Sequence, residues 1–211
     1  MKWFRLPLGP LQTNCYVFTE NDGTCLIIDP GEEGKKLHNW LNEKKVIPKA
    51  ILLTHAHFDH IGAVDYIRDV YKIPVYLHSK ESKWLSDPAL NGSQYFMSNQ
   101  PMIVKDADIL IKREENLQIG LFQFQVLETP GHSPGSVSYF FEKERIVVSG
   151  DALFHQGIGR TDLHGGNHEQ LIQSIHKKLL TLPEDTLVLS GHGPETIIED
   201  EMDSNPFLNG F

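Results

Sequence analysis

Four short apolar runs, each followed within a few residues by a histidine or an aspartate, constrain the fold of this chain more than any other feature. The runs span residues 50–53, 121–127, 146–148 and 187–189, and the polar side chains after them include His55, His132, Asp151 and His192. Such runs are typical of strands that are largely buried in a sheet. Ligands of open α/β sheets bind beyond the carboxyl ends of the strands. The pattern therefore predicts an α/β protein with its site at the strand ends.

Other segments complete a mixture of strands and helices. Further strands are predicted at 16–18, 26–28, 75–77, 109–111 and 137–141, and helices at 32–45, 61–71 and 168–180. Asn167 precedes the last helix and is a favourable N-cap. Residues 83–100 lack a clear period and are rich in Ser, Asn and Gln, so we predict a surface loop or lid there. Because no proline- or glycine-rich linker divides the chain, we predict a single α/β domain over residues 1–211.

Composition narrows the class of protein. The chain has 211 residues and a formal net charge of −9, which argues against a protein that binds nucleic-acid backbones. No segment has the length and apolarity needed to span a bilayer, and the N-terminal residues lack the uninterrupted apolar core of a signal peptide. The two cysteines, Cys15 and Cys25, are expected to be buried and reduced. These features predict a cytoplasmic protein without a membrane or nucleic-acid partner.

The densest group of candidate ligands directly follows the run 50–53. This segment reads Thr-His-Ala-His-Phe-Asp-His and contains His55, His57, Asp59 and His60. In extended backbone, side chains two residues apart point the same way, so His55 and His57 can reach one ion. The turn that follows lets Asp59 and His60 point toward a second ion. Imidazole and carboxylate ligands suit zinc, iron(II) or manganese.

Chance and local structure offer alternative explanations of these histidines. By the composition of this chain, the HxHxDH spacing arises by chance in about two sequences in a thousand. The cluster alone is also compatible with a solvated loop, and His132 or His192 alone is more simply explained as a loop histidine. A glycine precedes each of the later candidates His132, Asp151 and His192, and glycine permits a tight turn and close backbone approach. Together, the four strand ends are better explained as the ligands of one site.

Taken in order, these segments resemble a known family. The HxHxDH spacing, the histidine of TPGHS, the aspartate of SGD and the histidine of SGHG resemble the metallo-β-lactamase superfamily. Within it, the chain is similar to the glyoxalase II (hydroxyacylglutathione hydrolase) group, and the likeness extends from residues 8–16 through 157–162 to 205–208. The resemblance implies a four-layer αβ/βα sandwich with two divalent metal ions, for which we expect zinc, with iron or manganese as alternatives.

The resemblance also implies seven metal ligands in two sets that share one carboxylate. The first set is His55, His57 and His132, the second is Asp59, His60 and His192, and Asp151 bridges the two metals. By the same resemblance, a hydroxide bridging the metals is the nucleophile and Asp59 orients it. Two cations lower the pKa of a shared water and stabilise the oxyanion formed at a thioester carbonyl.

Two further residues are candidate substrate contacts. Arg160 resembles the cation that glyoxalase II enzymes place near the thiol part of the substrate, and the alternative is a structural ion pair with Asp162. His155 follows Asp151 by four residues and is a candidate for the wall of the cleft. Longer enzymes of this group bind glutathione through a C-terminal helical domain, whereas the residues after His192 contain no lysine or arginine. We therefore expect no glutathione recognition by that route, and the identity of the thiol in the substrate stays open.

These observations predict a metal-dependent hydrolase that cleaves a small-molecule thioester of the S-hydroxyacyl-thiol type. The first alternative is a persulfide dioxygenase of the same superfamily, with one iron on His55, His132 and Asp151. A β-lactamase is disfavoured because no signal peptide is recognised, and a nuclease because the net charge is −9. A non-catalytic metal-binding module ranks lowest because every expected ligand position is filled. The acyl group, the thiol, the metal and the oligomeric state stay open.

Overall fold

The computed structural model describes residues 1–97 and 100–208. Within it the chain divides into two compact units. The first contains Met1–Lys112 and Ile119–Phe122, and the second contains Arg113–Gln118 and the chain from Gln123 onward. Sheets and helices occur in both units, which confirms the predicted α/β class. The expectation of a single domain over residues 1–211 stays a prediction.

The first unit is built on a six-stranded sheet in the order β1-β2-β3-β4-β5-β6. The strands are β1 (Lys2–Leu8), β2 (Thr13–Thr19), β3 (Thr24–Ile28), β4 (Ile47–Leu52), β5 (Val75–His78) and β6 (Ile109–Ile111). β1, β2 and β3 pair antiparallel, whereas β3 to β6 pair in parallel. Ile28 lies opposite Leu52 in the β3–β4 pair, so the carboxyl ends of these two strands are adjacent. The chain beyond those ends carries the first group of candidate ligands.

Helices of the first unit cover its sheet with the apolar faces that the sequence predicts. They are α1 (Gly34–Lys44), α2 (Phe58–Ile61), α3 (Val64–Tyr71), a 3-10 turn (Ser79–Glu81) and α4 (Ser93–Phe96). Leu37, Leu41 and Ile67 are buried in one core with Val17 and Ile51 of the strands. Apolar residues three and four apart share one helix face, which explains why α1 and α3 pack where they do.

Two predictions about this unit need correction. The helix predicted at 61–71 is interrupted, because the backbone N–H of Ala63 donates to the carbonyl of Pro30 (2.9 Å) instead of continuing the helical ladder. The segment 83–100 is not simply a surface loop. Trp84 and Leu85 are buried in the core, and the side-chain amide of buried Asn91 donates to the carbonyls of Trp84 and Met102, both at 3.0 Å. Residues 98 and 99 of that segment lie outside the described residues.

Both cysteines are buried and reduced, as predicted. Burial raises the pKa of Cys25 to about 12. Burial, with the nearby Asp29 carboxylate, raises the pKa of Cys15 well above its ordinary value. Since the thiolate is the reactive form, we expect both thiols of the folded protein to react with an aromatic disulfide reagent at least ~100-fold more slowly than model thiols of ordinary pKa. The control is protein unfolded in guanidinium, where both should react at once. Rapid reaction of either thiol in the folded protein would contradict this.

The second sheet has the order β14-β13-β10-β9-β8-β7. Its strands are β7 (Glu115–Ile119), β8 (Phe122–Glu128), β9 (Val137–Phe141), β10 (Ile146–Gly150), β13 (Leu187–Ser190) and β14 (Thr196–Ile197), and a separate hairpin contains β11 (Leu153–Phe154) and β12 (Gly157–Ile158). β10 and β13 pair in parallel, so both deliver the residues that follow them to the same edge. These residues include Asp151 and His192.

Helices of the second unit pack on that sheet. They are a 3-10 turn (Glu142–Glu144), α5 (His168–Ser174), which continues as a π-helix (Ile175–Leu179), and α6 (Ile198–Ser204). The Asn167 side chain caps α5 by accepting a hydrogen bond from the Gln170 backbone N–H (2.9 Å), as predicted. Leu171, Ile175 and Leu179 are buried with Val147 and Val188. Across the described residues of both units, no helix combines the length and apolarity that crossing a membrane requires.

Candidate metal centre

The first unit brings four candidate ligands together after β4: His55 and His57 lie in the turn, and Asp59 and His60 lie in α2. The three histidines are buried. The ring centroids of His55 and His60 lie 4.1 Å apart, and those of His55 and His57 lie 4.8 Å apart. The backbone N–H of Ala56 donates to the buried carboxylate of Glu81 (2.7 Å), which holds the turn between the two histidines. The predicted cluster is therefore preformed within this unit.

A buried carboxylate that the sequence analysis passed over supports this cluster. Asp29 follows β3 directly and is 1% exposed. Its carboxylate accepts hydrogen bonds from the backbone N–H of Thr54 (2.8 Å), the hydroxyl of Thr54 (2.6 Å) and Nδ1 of His60 (3.0 Å). Asp29 has a positive φ of 51°, a conformation that aspartate tolerates better than most residues. The carboxylate therefore holds one imidazole and the start of the turn at the same time.

These hydrogen bonds determine which nitrogen of each imidazole carries the proton. The Thr54 hydroxyl has one hydrogen, which it donates to Asp29, so it accepts from Nδ1 of His55 at 3.1 Å. Nδ1 of His60 donates to Asp29 in the same way. In both rings Nε2 is then the nitrogen with a lone pair. Histidines that bind metals in proteins are oriented by just such a hydrogen bond to the other ring nitrogen.

Asp59 is oriented by a neighbour from β2. The hydroxyl of Thr13, which is fully buried, donates to Oδ2 of Asp59 at 2.9 Å. The same Oδ2 lies 3.6 Å from Nε2 of His60, which is longer than a normal N–H···O hydrogen bond. These two atoms thus face each other without bonding directly.

The second unit gathers His132, Asp151 and His192. Nε2 of His132 and Nε2 of His192 each lie 3.6 Å from the same atom, Oδ2 of Asp151. Nδ1 of His132 donates to the backbone carbonyl of Arg160 at 2.7 Å, so its Nε2 also carries the lone pair. The bulge at the end of β10 and the positive φ of Gly150 (52°) turn Asp151 out of the strand. A side chain on Gly131 would lie 2.3 Å from the backbone of Leu171, which explains the glycine before His132.

The separation of 3.6 Å within these pairs fits a shared metal ion. Two ligands that each bond one zinc ion at about 2.1 Å in tetrahedral geometry lie about 3.4 Å apart. The donors are imidazole nitrogens and carboxylate oxygens, with no thiolate among them, and such donors suit zinc, iron and manganese. The imidazoles of His55, His60 and His132 present Nε2 and are held through Nδ1. Each unit therefore carries a donor set with the chemistry of a divalent metal site.

The two candidate substrate residues have local partners. The guanidinium of Arg160 forms a two-point ion pair with Asp162, both contacts at 2.7 Å, which is the structural alternative named from the sequence. Its backbone carbonyl orients His132. The half-exposed His155 lies with Nδ1 3.6 Å from the buried carboxylate of Glu201. A substrate role for Arg160 and His155 stays a prediction.

The Arg160–Asp162 pair yields a pH-dependent prediction. The hydrogen bonds from Arg160 lower the pKa of Asp162 to about 2. A carboxyl with a lowered pKa stabilises the fold above its ordinary pKa, and this contribution is lost as the pH falls through about 2. We expect carboxyl-carbon NMR to give a pKa of about 2 for Asp162, returning toward ~3.9 in Arg160→Ala. Lys178→Ala, which removes a separate ion pair with Glu114, should leave it unchanged. An ordinary pKa in the unmodified protein would contradict the ion pair in solution.

Sequence reasoning missed Asp29, Thr13 and Thr54. A signal for Asp29 was present, because it follows a buried apolar run and precedes Pro30-Gly31, as Asp151 follows β10. Only the parallel pairing of β3 with β4 places it beside the histidine cluster. Thr13 carried no comparable signal, since its role depends on contacts 46 residues away.

The fold and the donor residues together define a class of protein. The family model described as the metallo-β-lactamase superfamily matches residues 8–192, and the chain belongs to this superfamily. A solved structure described as BLEG-1 B3 metallo-β-lactamase is 57% identical and has a TM-score of 0.97, with 99% of this chain and 100% of that one covered. The predicted superfamily and its fold are therefore confirmed.

Similar proteins narrow the class to metallo-hydrolases. "Probable metallo-hydrolase YqgX" of Bacillus subtilis (strain 168) is 58% identical over 100% of this chain and 99% of its own. "Hydroxyacylglutathione hydrolase GloC" of Haemophilus influenzae (strain ATCC 51907 / DSM 11121 / KW20 / Rd) is 35% identical over 97% of this chain and 96% of its own. The structure of TTHA1623 "in a di-iron-bound form" is 41% identical, with a TM-score of 0.84 and coverages of 97% and 100%. The chain is a metallo-hydrolase of the superfamily.

Proposed function

We propose that this protein is a metal-dependent thioester hydrolase whose substrate is an S-hydroxyacyl thiol. The observation that carries the proposal is the likeness to a hydroxyacylglutathione hydrolase along almost the entire chain. The donor residues inside each unit support it, because their spacing and protonation suit divalent ions. In the reaction, the oxygen of water is added to the acyl carbon, the carbon–sulfur bond breaks, and the thiol leaves with a proton.

We propose that seven side chains hold two divalent metal ions. They are His55, His57, Asp59 and His60 of the first unit and His132, Asp151 and His192 of the second. When bound, such ions polarise the thioester carbonyl and lower the pKa of water. Asp29 and Thr54 hold the tautomers of two ligands, Thr13 orients Asp59, and the Arg160 carbonyl orients His132. Zinc is our first expectation, and iron is a real alternative given the di-iron form of TTHA1623.

The test is a panel of lactoyl thioesters of several thiols, offered to protein whose zinc, iron and manganese contents have been measured. We expect thiol release to rise with metal occupancy and to cease on removal of the metal by a chelator. His132→Ala and Asp59→Ala should lose both metal and hydrolysis, whereas His168→Ala, an exposed histidine at the start of α5, should retain both. Unchanged metal content and activity in His132→Ala and Asp59→Ala would overturn the proposal.

The persulfide dioxygenase alternative predicts a different result. It requires one iron per chain and oxygen uptake with glutathione persulfide. Measuring oxygen consumption and metal content on the same preparation separates the two reactions. A single tightly held iron with oxygen uptake, and no thioester cleavage, would replace the hydrolase proposal.

A second candidate function is β-lactam hydrolysis. The observation that favours it is the 57% identity to a protein described as a B3 metallo-β-lactamase. Amide hydrolysis in a β-lactam ring needs the same polarised carbonyl and activated water as thioester hydrolysis. A chromogenic cephalosporin belongs in the panel for this reason. If its kcat/KM exceeds that of every thioester, β-lactam hydrolysis becomes the leading function.

The proposed location is the cytoplasm. Two buried, reduced cysteines are compatible with a reducing compartment. The proposed partner is a small-molecule thioester, with no role for nucleic acid or a membrane.

A further inference from the structure

The first unit contains an apolar cavity that ends at a proposed metal ligand. Its volume is about 210 Å³, and its lining includes the apolar side chains of Leu8, Leu11, Phe58, Phe96 and Met97. Asp59 and Thr13 lie in the same lining. A group bound in this cavity would therefore be held directly beside one of the proposed metal ligands.

The walls of this cavity are preformed. The turn between β1 and β2 closes through the backbone N–H of Gln12, which donates to the carbonyl of Gly9 (3.2 Å). The backbone N–H of Gly9 in turn donates to the carboxylate of Glu33 (3.0 Å). Elsewhere in the lining, the rings of Phe58 and Phe96 stack with centroids 5.5 Å apart. The cavity thus needs little rearrangement to accept a ligand.

The size of the cavity limits what can enter it. An apolar protein cavity of about 150 Å³ holds one benzene molecule. At about 210 Å³, this cavity can hold one six-membered ring with a short linker. A tripeptide thiol is far too large to fit within it. Leu11 and Phe96 are more than half exposed, so their apolar surface is available at the entrance.

Charge further restricts the ligand. Among the residues that the structure describes, the lining includes the carboxylates of Glu32 and Asp59 and no lysine, arginine or histidine. An anionic group would lose hydration on entry, and apart from the proposed metal ligand Asp59 the charged side chain in the described lining is the carboxylate of Glu32, which repels an anion. The cavity therefore favours an uncharged apolar group over an anionic one.

We propose that this cavity binds an uncharged, phenyl-sized apolar group of the substrate and thereby makes the enzyme selective for aromatic thioesters over anionic ones. This inference rests on the proposed thioester hydrolysis. The group could belong to either side of the scissile bond, since an aryl-bearing acyl chain and an aryl-bearing thiol have the same chemistry at the cavity.

The test compares four thioesters. The lactoyl thioester of ethanethiol is the aliphatic reference, and the lactoyl thioester of benzyl mercaptan and the 3-phenyllactoyl thioester of ethanethiol carry the ring on the thiol or the acyl side. The fourth is the lactoyl thioester of 4-carboxybenzyl mercaptan, which adds one negative charge. We expect one phenyl substrate to exceed the reference at least ~10-fold in kcat/KM, mainly through KM. If the benzyl thioester is the preferred one, its carboxybenzyl counterpart should fall at least ~5-fold below it.

Variants locate the effect in the cavity. Phe96→Ala should abolish the preference for the ring, whereas Tyr95→Ala, an exposed neighbour in the same short helix that does not line the cavity, should retain it. Glu32→Gln should reduce the penalty of the carboxybenzyl group, whereas Glu43→Gln on α1 should not. If neither phenyl substrate is preferred, or if Phe96→Ala leaves the preference unchanged, the inference is wrong.

A binding measurement separates this inference from the proposed reaction. The probes are 2-hydroxy-5-phenylpentan-3-one and 2-hydroxy-1-phenylhexan-3-one, in which a methylene group replaces the sulfur of the benzyl thioester and of the phenyllactoyl thioester. We expect calorimetry to detect binding of one of these ketones to the metal-loaded protein and a loss of at least ~10-fold in its affinity in Phe96→Ala. Binding without cleavage of any thioester would reject the hydrolase and support the cavity. Cleavage without ring preference and without binding of either ketone would retain the hydrolase and reject the cavity.

Discussion

Asp151→Asn is expected to lose metal and to lower thioester hydrolysis by at least about a thousandfold. The carboxylate lies between two imidazoles, each 3.6 Å from the same Oδ2. Neutral imidazoles alone provide no negative charge for a divalent cation, and an asparagine amide provides none either. A Lewis-acid metal contributes several kcal/mol to stabilising the transition state, and each 1.4 kcal/mol changes a rate tenfold.

Two measurements check this expectation without relying on activity alone. Metal content per chain should fall in Asp151→Asn. Addition of zinc should also raise the melting temperature of the unmodified protein far more than that of the variant. A ligand at 100 times its Kd stabilises a protein by about 2.7 kcal/mol, which for a chain of this size is roughly 5–11 °C.

The matched control is Asp203→Asn, an exposed aspartate on α6. It makes the same chemical change and should preserve metal content, the response to zinc and hydrolysis. If Asp151→Asn binds metal and hydrolyses thioesters like the unmodified protein, the assignment of Asp151 as a ligand is wrong.

Asp29→Asn is expected to weaken metal binding about 10- to 100-fold although Asp29 itself is not a proposed ligand. Replacement of a residue that orients a metal-binding histidine has an effect of about this size. The carboxylate accepts three hydrogen bonds, from the Thr54 backbone, the Thr54 hydroxyl and His60. An asparagine presents one oxygen and one NH₂ group, so at least one of these donors meets another donor.

The consequence should reach two imidazoles together. Loss of the bond to Nδ1 removes the preference of His60 for the tautomer that presents Nε2. The Thr54 hydroxyl would also rotate to meet the new amide group. Its oxygen would then no longer accept the hydrogen bond from Nδ1 of His55. Nitrogen-15 NMR of the imidazoles in the metal-free protein should detect both changes in tautomer, which a general loss of packing would not produce.

Stability and a control variant complete this test. Leaving a buried donor unsatisfied costs about 1–3 kcal/mol, so the melting temperature should also fall. Asp106→Asn, an exposed change in the same unit, should alter neither the metal affinity nor the melting temperature. Normal metal affinity in Asp29→Asn, with unchanged histidine tautomers, would show that Asp29 does not position these ligands.

Much of the candidate site was predictable from the sequence because its ligands follow strands. Continuous apolar runs identified β4, β10 and β13, and the residues that follow these strands include His55, Asp151 and His192. His55, His57, Asp59 and His60 lie within six residues, in the turn after β4 and the start of α2, where local backbone geometry decides which side chains converge. The family was also predictable, since its signature consists of these same short segments.

Other parts depended on contacts between distant residues. The interruption of the helix at 61–71 follows from a hydrogen bond between Ala63 and Pro30, which no helical periodicity encodes. Trp84 and Leu85 are buried in the core, whereas the polar composition of 83–100 predicts a surface segment. The sequence allowed two roles for Arg160, a substrate contact or an ion pair with Asp162. The structure contains the ion pair.

The sequence by itself therefore determined the α/β class, the metal-binding residue types and the family, because each is encoded by residues close together along the chain. The tertiary structure decided which groups orient those ligands and what surrounds them. The hydrogen bonds of Asp29 to Thr54 and His60 depend on the parallel pairing of β3 with β4. The apolar cavity beside Asp59 combines residues from the β1–β2 turn, α2 and α4, and only folding brings such distant segments within van der Waals contact.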